Sequence, residues 1–290
     1  MTGRIVKGVG GFYEVMSENG IITCKARGRF RRESLTPMIG DLVEIAIQPD
    51  GSAAIEEIAP RRNALLRPPV ANIDQLVIVL AASHPRPDWL LADKLLLECS
   101  LLGIKPILAL NKLDEPVSDV VAQFGADYAG AFDTLYLSSV TGEGLDELRN
   151  ILAGRVTSLA GQSAVGKSSL LNALIPALAL EVGELSKKTE RGRHTTRHAE
   201  LWPFMGGAVL DTPGFSLLDL RLVEQEQLDA AYPEFGDAPA RCRFARCAHI
   251  SEPDCAVKAL LDDNRLSPGR YARYIEIHRE IELRSKQRYD

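Results

Sequence analysis

The chain has 290 residues, 46% of them apolar and 25% charged, with a formal net charge of −5. Those proportions suit a globular protein of two or three domains and exclude a uniformly basic chain, though not a local basic face. The longest strongly apolar run, Leu76 to Ala82, is too short to span a bilayer, Met1 to Ile5 lacks a signal-peptide core, and five cysteines, an odd number, fit a reducing compartment, so cytoplasmic residence is expected.

Residues 1–64 show short β-type runs broken by turn residues at Gly10-Gly11, Glu18-Asn19-Gly20, Gly40-Asp41 and Pro49-Asp50-Gly51. The expected strands are Phe12 to Val15, Ile21 to Cys24, Leu42 to Ile47 and Ala54 to Ile58. Four or five strands in so short a span predict a small closed barrel of OB type. Lys25, Arg27, Arg29 and Arg31 alternate and would share one strand face, with Phe30 and Arg32 alongside, a cationic stripe suited to RNA phosphates. A solvated strand face or a basic loop is the plain alternative.

Residues 65–222 alternate strand and helix patterns, which predicts an α/β sheet. Asp74 to Ala82 reads as a strand buried on both faces, Leu90 to Gly103 as a helix, and Pro106 to Leu110 as a second buried strand. That strand runs into Asn111-Lys112-Leu113-Asp114, which resembles the guanine-specificity motif of GTPases. Asp114 can accept two hydrogen bonds from N–H groups that guanine has and adenine lacks, so discrimination against ATP should be strong. The Lys112 stem can cover the flat base, and Asn111 can tie this loop to a phosphate loop. A strand at Thr134 to Leu137 then leads to Ser138-Ser139-Val140-Thr141-Gly142, similar to the second base-contacting loop of GTPases.

The phosphate loop itself is Gly161-Gln162-Ser163-Ala164-Val165-Gly166-Lys167-Ser168-Ser169, a G-x-x-x-x-G-K-S pattern. Its context is correct: a β-prone run at Arg155 to Ala160 precedes it, and a helix former from Lys167 to Ile175, stopped by Pro176, follows. Backbone N–H groups and the helix N-terminus would hold phosphates, Lys167 would neutralise them, and the Ser168 hydroxyl would ligate Mg²⁺. Leu185 to His198, rich in charge and hydroxyls, reads as a switch loop in which Thr195 or Thr196 would close on Mg²⁺. Asp211-Thr212-Pro213-Gly214 is a D-x-x-G motif in which Asp211 would hold Mg²⁺ through water and the Gly214 N–H would sense the γ-phosphate.

All five GTPase elements are therefore present, but the two base-reading loops precede the phosphate loop. A circular permutation keeps such a site in space while moving the chain ends. It also leaves the D-x-x-G switch wired directly into residues 223–290, so nucleotide state could be transmitted to them.

In that last segment Cys242, Cys247, His249 and Cys255 place three thiolates and an imidazole within 14 residues, a closed ligand set for structural tetrahedral Zn²⁺. Cys24 and Cys99 lie far away and read as small core residues. Ser267-Pro268 looks like a helix start. Tyr271, Tyr274, Ile275, His278 and Ile281 would form its apolar stripe, with Arg270, Arg273, Arg279, Arg284, Lys286 and Arg288 on a solvated face.

The permuted order, the Arg67-Pro68-Pro69-x-Ala71-Asn72-Ile73-Asp74 segment and the form of the phosphate loop resemble the ribosome small-subunit-dependent GTPase A family over essentially the whole chain. The resemblance implies an OB barrel (1–64), a permuted P-loop GTPase domain (65–222) and a zinc domain with C-terminal helices (223–290). It further implies GTP hydrolysis stimulated by the 30S ribosomal subunit during its late maturation, with 16S rRNA as partner. A glutamine commonly follows D-x-x-G to orient the attacking water, whereas Phe215 stands there in this chain. His194 resembles the family's proposed catalytic histidine instead. The family usually shows a third threonine where this chain has Arg197. Nothing in the sequence points to an obligate dimer, so a monomer is expected. The rival readings are a P-loop ATPase or kinase with a zinc ribbon, and an RNA-binding module whose nucleotide site is only structural.

Overall fold

In a computed structural model of the chain, residues 1–32, 35–66, 69–178, 200–211 and 223–286 are described. The N-terminal strands are β1 (Thr2–Val9), β2 (Phe12–Ser17), β3 (Gly20–Ala26), β4 (Leu42–Ile47) and β5 (Ala53–Ile58). They close into a barrel in the order β1-β2-β3-β5-β4, with β3 and β5 parallel and the other neighbours antiparallel. That is the OB-type arrangement the turn spacing predicts. Ile5, Val15, Cys24, Val43, Ile45 and Ile55 fill the barrel. The first strand, β1, is absent from the sequence expectation because Gly3, Arg4, Lys7 and Gly8 dilute its apolar pattern.

The basic run does not form one strand face. β3 ends at Ala26, and Arg29–Arg32 is a single helical turn, α1. The physical reason is Phe30, which is 3% exposed and sits in the barrel core, so the chain must coil to bring its ring inward. Lys25, Arg27 and Arg29 remain exposed.

A short hairpin of β6 (Ala64–Leu66) and β7 (Pro69–Ala71) leads into a six-stranded sheet. Its strands are β8 (Gln75–Ala81), β9 (Lys105–Asn111), β10 (Asp133–Tyr136), β11 (Val156–Ala160), β12 (Leu201–Phe204) and β13 (Gly207–Asp211), ordered β10-β9-β8-β11-β13-β12. All pairs are parallel except β12–β13. The near-continuous apolar strands reflect burial on both sides. One face packs Leu76, Ile78 and Leu80 against α2 (Trp89–Leu102) and α3 (Ser118–Tyr128). The other packs Val77, Val79 and Leu159 against α4 (Leu145–Leu152) and α5 (Lys167–Leu174).

The C-terminal segment holds α6 (Gln225–Ala230), α7 (Ala256–Asp262) and α8 (Pro268–Lys286). Ser267 caps α8 as expected, its hydroxyl accepting from the Gly269 and Arg270 N–H groups. The core of this segment takes in Leu97 of α2, with Leu90 and Leu101 packed against it, so α2 is shared between the sheet and the C-terminal helices. Arg270 and Arg273 are not on a solvated face: Arg270 is 0% exposed. Buried acidic partners on distant elements draw both side chains inward. Among the described residues no helix is long and apolar enough to cross a membrane.

Candidate functional site

Parallel strands bring their carboxyl ends to one edge of the sheet, where open α/β folds bind ligands. β9 ends at Asn111, β11 at Ala160 and β13 at Asp211, with Leu159 paired to Asp211 and Ala81 to Asn111. The base-reading loop, the phosphate loop and the start of the D-x-x-G motif therefore meet there, although they lie far apart in sequence. Gly214, the side chain of Asp211, and His194, Thr195 and Thr196 lie outside the described residues.

Asn111 is 0% exposed and joins three loops. Its Nδ2 donates to the Val165 carbonyl at 2.9 Å, and its Oδ1 accepts from the Ser139 N–H at 3.2 Å. The Ser138 hydroxyl donates to Asp114 Oδ1 at 2.6 Å and accepts from the N–H groups of Val140 (3.2 Å) and Thr141 (3.0 Å). Leu113 N–H donates to the Leu137 carbonyl at 3.1 Å, closing the two base-contacting loops together. Lys112 takes a positive φ of 69° and donates from Nζ to the His84 carbonyl at 2.5 Å.

Two glycines of the phosphate loop are required by contact as well as by backbone angle. Gly161 has φ 137°, and a Cβ there would lie 2.2 Å from the Val79 carbonyl oxygen. Gly166 has φ 99°, and its Cβ would meet Asn111 Nδ2 at 2.3 Å. Just after them, Lys167 Nζ donates to the carbonyls of Gly161 (2.9 Å) and Gln162 (2.7 Å). Val165 is fully buried under the loop, Ser163 and Ala164 form its turn, and Ser168 and Ser169 open α5. The sequence gives no hint of one support: Gln162 Oε1 accepts from the Asp88 N–H at 2.9 Å. Asp88 in turn caps α2, a role that an Asp before an apolar helical run does signal.

The second cluster is Cys242, Cys247, His249 and Cys255, whose ligand atoms lie within 4.8 Å of one another. Cys242 Sγ is 3.8 Å from Cys255 Sγ and 3.5 Å from His249 Nδ1, and Cys255 Sγ is 3.4 Å from that nitrogen. Arms of about 2.3 Å around a tetrahedral centre give edges of about 3.8 Å, so the spacing is consistent with a zinc site. Behind it, His249 Nε2 lies 3.3 Å from Asp229 Oδ2 on α6, and the Tyr274 hydroxyl donates to Asp229 Oδ1 at 2.9 Å. A carboxylate behind the histidine fixes which nitrogen faces the metal. Asp229 carries no sequence signal, since it sits outside the cysteine-rich stretch. Burial pushes the Cys247 thiol up to about 12. Burial also opposes the Cys255 thiolate, but the Lys258 N–H, His249 and the neighbouring cysteines hold it below its ordinary value. A bound dication would favour thiolate at all three.

On the barrel, Lys25 Nζ lies 5.1 Å above the exposed Phe12 ring, and Arg27 pairs with Glu56. Arg29 lies over the Phe30 ring at 5.3 Å. Arg31 and Arg32 lie in α1, with side chains outside the described residues. These cations do not converge on one strand.

The comparisons with known proteins agree with this architecture. The RsgA GTPase family model matches residues 58–221 and the RsgA N-terminal domain model matches residues 2–55. The small ribosomal subunit biogenesis GTPase RsgA of Caldanaerobacter subterraneus subsp. tengcongensis is 42% identical over 289 residues, covering 99% of this chain and 98% of the relative. The protein of the same name from Geobacillus thermodenitrificans is 42% identical over 291 residues, covering 99% of each. Among solved structures, YjeQ from Thermotoga maritima matches with a TM-score of 0.84 and 34% identity, covering 97% of this chain and 98% of that one. YloQ, described as a circularly permuted GTPase, matches with a TM-score of 0.80 and 35% identity, covering 98% and 95%. With the permuted motif order, the barrel and the cysteine–histidine cluster all in place, this chain belongs to the RsgA GTPase family.

Proposed function

We propose that the protein hydrolyses GTP to GDP and phosphate and acts on the small ribosomal subunit in its late maturation, with turnover stimulated by that particle. The observation that carries the nucleotide reading is Asn111, which bonds the base-reading and phosphate loops into one buried unit. Curated relatives named for small-subunit biogenesis support the partner.

In this reading Asp114 accepts two N–H groups of guanine, a pattern adenine cannot supply. Ser138 holds that carboxylate in place, and a backbone N–H of the Ser138 to Gly142 loop meets the guanine carbonyl. The Lys112 stem covers the base. N–H groups of Gly161 to Ser169 cradle the phosphates, Lys167 moves from its loop carbonyls onto the phosphates, and Ser168 and Asp211 would hold Mg²⁺, whose charge would offset that of the phosphates. Thr195 or Thr196 would help hold that ion, Gly214 would sense the γ-phosphate, and His194 would take the water-orienting role that Phe215 cannot fill. Cys242, Cys247, His249 and Cys255 hold one structural Zn²⁺, and Lys25, Arg27, Arg29, Arg31 and Arg32 meet 16S rRNA phosphates. The working units are a barrel (1–64), a permuted GTPase domain (65–222) and a zinc domain (223–290) in a cytoplasmic monomer.

Side-by-side titration with GTP and ATP tests the reading. Binding of GTP at least about 100-fold tighter is expected from the unpaired carboxylate that adenine would leave, and equal affinities would defeat it.

A further inference from the structure

Between the sheet and the C-terminal helices lies a cluster of charges that the nucleotide chemistry does not use. Asp93 on α2 has a fully buried carboxylate. Arg270 Nη1 lies 2.7 Å from its Oδ1, Arg273 Nε donates to its Oδ2 at 2.7 Å, and the Tyr128 hydroxyl donates to Oδ1 at 2.7 Å. Arg273 also reaches Asp127 of α3 at 2.9 Å, and Arg270 reaches Glu234 at 2.7 Å. The Arg270 guanidinium stands 4.1 Å over the Tyr232 ring. Lys94, one residue along α2, pairs with Glu280 of α8.

Burying so many charges carries a heavy desolvation cost before pairing returns it, and apolar side chains of similar volume would hold two helices together as well. What such a network adds is a single allowed register, since any slip leaves a buried charge without its partner. The position held so firmly is that of α2, whose first turn carries a second set of contacts. Asp88 caps that turn through the Leu91 N–H at 2.9 Å, and its own N–H donates to Gln162 Oε1 in the phosphate loop. The carbonyls of Gly161 and Gln162 are the ones that hold Lys167 Nζ. One rigid helix of 14 residues, about 21 Å long, therefore touches the phosphate loop at its first turn and the α8 arginines in its first half.

We propose that docking of the zinc-site segment positions the phosphate loop. Arg270 and Arg273 fix α2 through Asp93, and α2 fixes Gln162 through Asp88, so these five are positioning residues for nucleotide binding. The route is separate from the covalent one through the D-x-x-G motif and runs in both directions: nucleotide on the loop tightens α8, and a loosened α8 weakens nucleotide. This inference rests on the nucleotide reading, which is checked first by GDP binding to the wild-type chain. With that in hand, the following measurements test the linkage alone.

The test is a double-mutant cycle in the full-length, zinc-loaded protein, with affinity for a fluorescent GDP analogue as readout and zinc content as control. Gln162→Ala and Arg273→Gln are each expected to weaken GDP binding about fivefold or more, the lower range for coupled sites, and the double variant to be no weaker than the poorer single. Unchanged affinity in Arg273→Gln at full zinc content, or a double loss equal to the product of the singles, would overturn the proposal. Should Arg273→Gln fail to fold, hydrogen exchange decides. GDP should protect amides of α2 and α8 in the wild type and leave α8 unprotected in Gln162→Ala. Protection of α8 that is absent in the wild type, or unaffected by Gln162→Ala, would overturn it equally.

Discussion

The side-chain amide of Asn111 and the backbone carbonyl of Val165 are joined at 2.9 Å, out of contact with solvent. The Asn111 to Asp114 loop, proposed to read the base, and the Gly161 to Ser169 loop, proposed to hold the phosphates, are therefore tied together. Replacing Asn111 by alanine leaves the Val165 carbonyl and the Ser139 N–H without partners, at a cost of about 1–3 kcal/mol for each group that water cannot reach. Asn111→Ala is expected to lower GDP affinity at least about tenfold, read by equilibrium titration. Wild-type affinity would show that the two loops hold their places without this bridge.

The close approach of Gly161 to Val79 leads to a second expectation. A Cβ at Gly161 would overlap the Val79 carbonyl oxygen at 2.2 Å, on a backbone whose φ of 137° favours glycine. The obstacle is backbone of a central strand, which cannot swing aside as a side chain can. Gly161→Ala should cost about 1–3 kcal/mol in stability and abolish measurable nucleotide binding, checked by denaturant unfolding and titration on the same sample. Unaltered binding would mean that the loop has another equally competent path.

Much of this site was legible in sequence because its motifs are local. Gly161 to Ser169, Asn111 to Asp114 and Asp211 each follow an apolar strand directly, and strand ends are where an α/β sheet presents loops. The barrel was legible through its turns at Gly10-Gly11, Asn19-Gly20 and Asp50-Gly51, less so through β1, whose apolar residues are diluted. Alternation misleads at Lys25 to Arg31 because one buried ring, Phe30, outweighs the charge pattern. Arg270 misleads for the opposite reason: a helix wheel shows only its own helix, while Asp93, the group that makes burial tolerable, lies 177 positions earlier in the chain. Asp229 behind His249 and Asp88 behind Gln162 are likewise long-range pairings that no local window contains.

Glu98 on α2 sets a dependence on pH. Burial pushes its carboxyl up to about 7 from an ordinary value of 4.5, and among the described residues its buried Oε2 has no hydrogen-bond partner. The folded chain therefore keeps a proton that the unfolded chain has already lost between those two values. Stability from this group is highest below about pH 4.5, falls as pH rises towards about 7, and is flat beyond. Glu98→Gln should remove that slope and stabilise the protein at pH 8 by about 1–3 kcal/mol, with little effect at pH 4.5. Chemical denaturation of both proteins from pH 4.5 to 8 checks this, and parallel profiles would contradict it.

Metal removal tests the cysteine–histidine cluster. The four candidate ligand atoms lie within 4.8 Å of one another between α6 and α7, and the core there reaches Leu97 of α2. Chelation at neutral pH should therefore loosen the C-terminal helices and lower the melting midpoint by roughly 5–8 °C, the shift that about 3–5 kcal/mol produces in a chain of this size. One equivalent of Zn²⁺ should restore it. A midpoint indifferent to both treatments would mean that the apolar core around Tyr232, Phe235 and Tyr274 suffices.

In the proposed function, a guanine site assembled from permuted loops works as a GTPase on the small ribosomal subunit. Turnover of GTP measured with and without purified 30S subunits tests it most directly, since base choice, catalysis and partner all enter one number. Slow hydrolysis alone and a rise of at least about tenfold with 30S subunits, with ATP left intact, are expected. Hydrolysis unchanged by the subunits, or no hydrolysis under either condition, would contradict it.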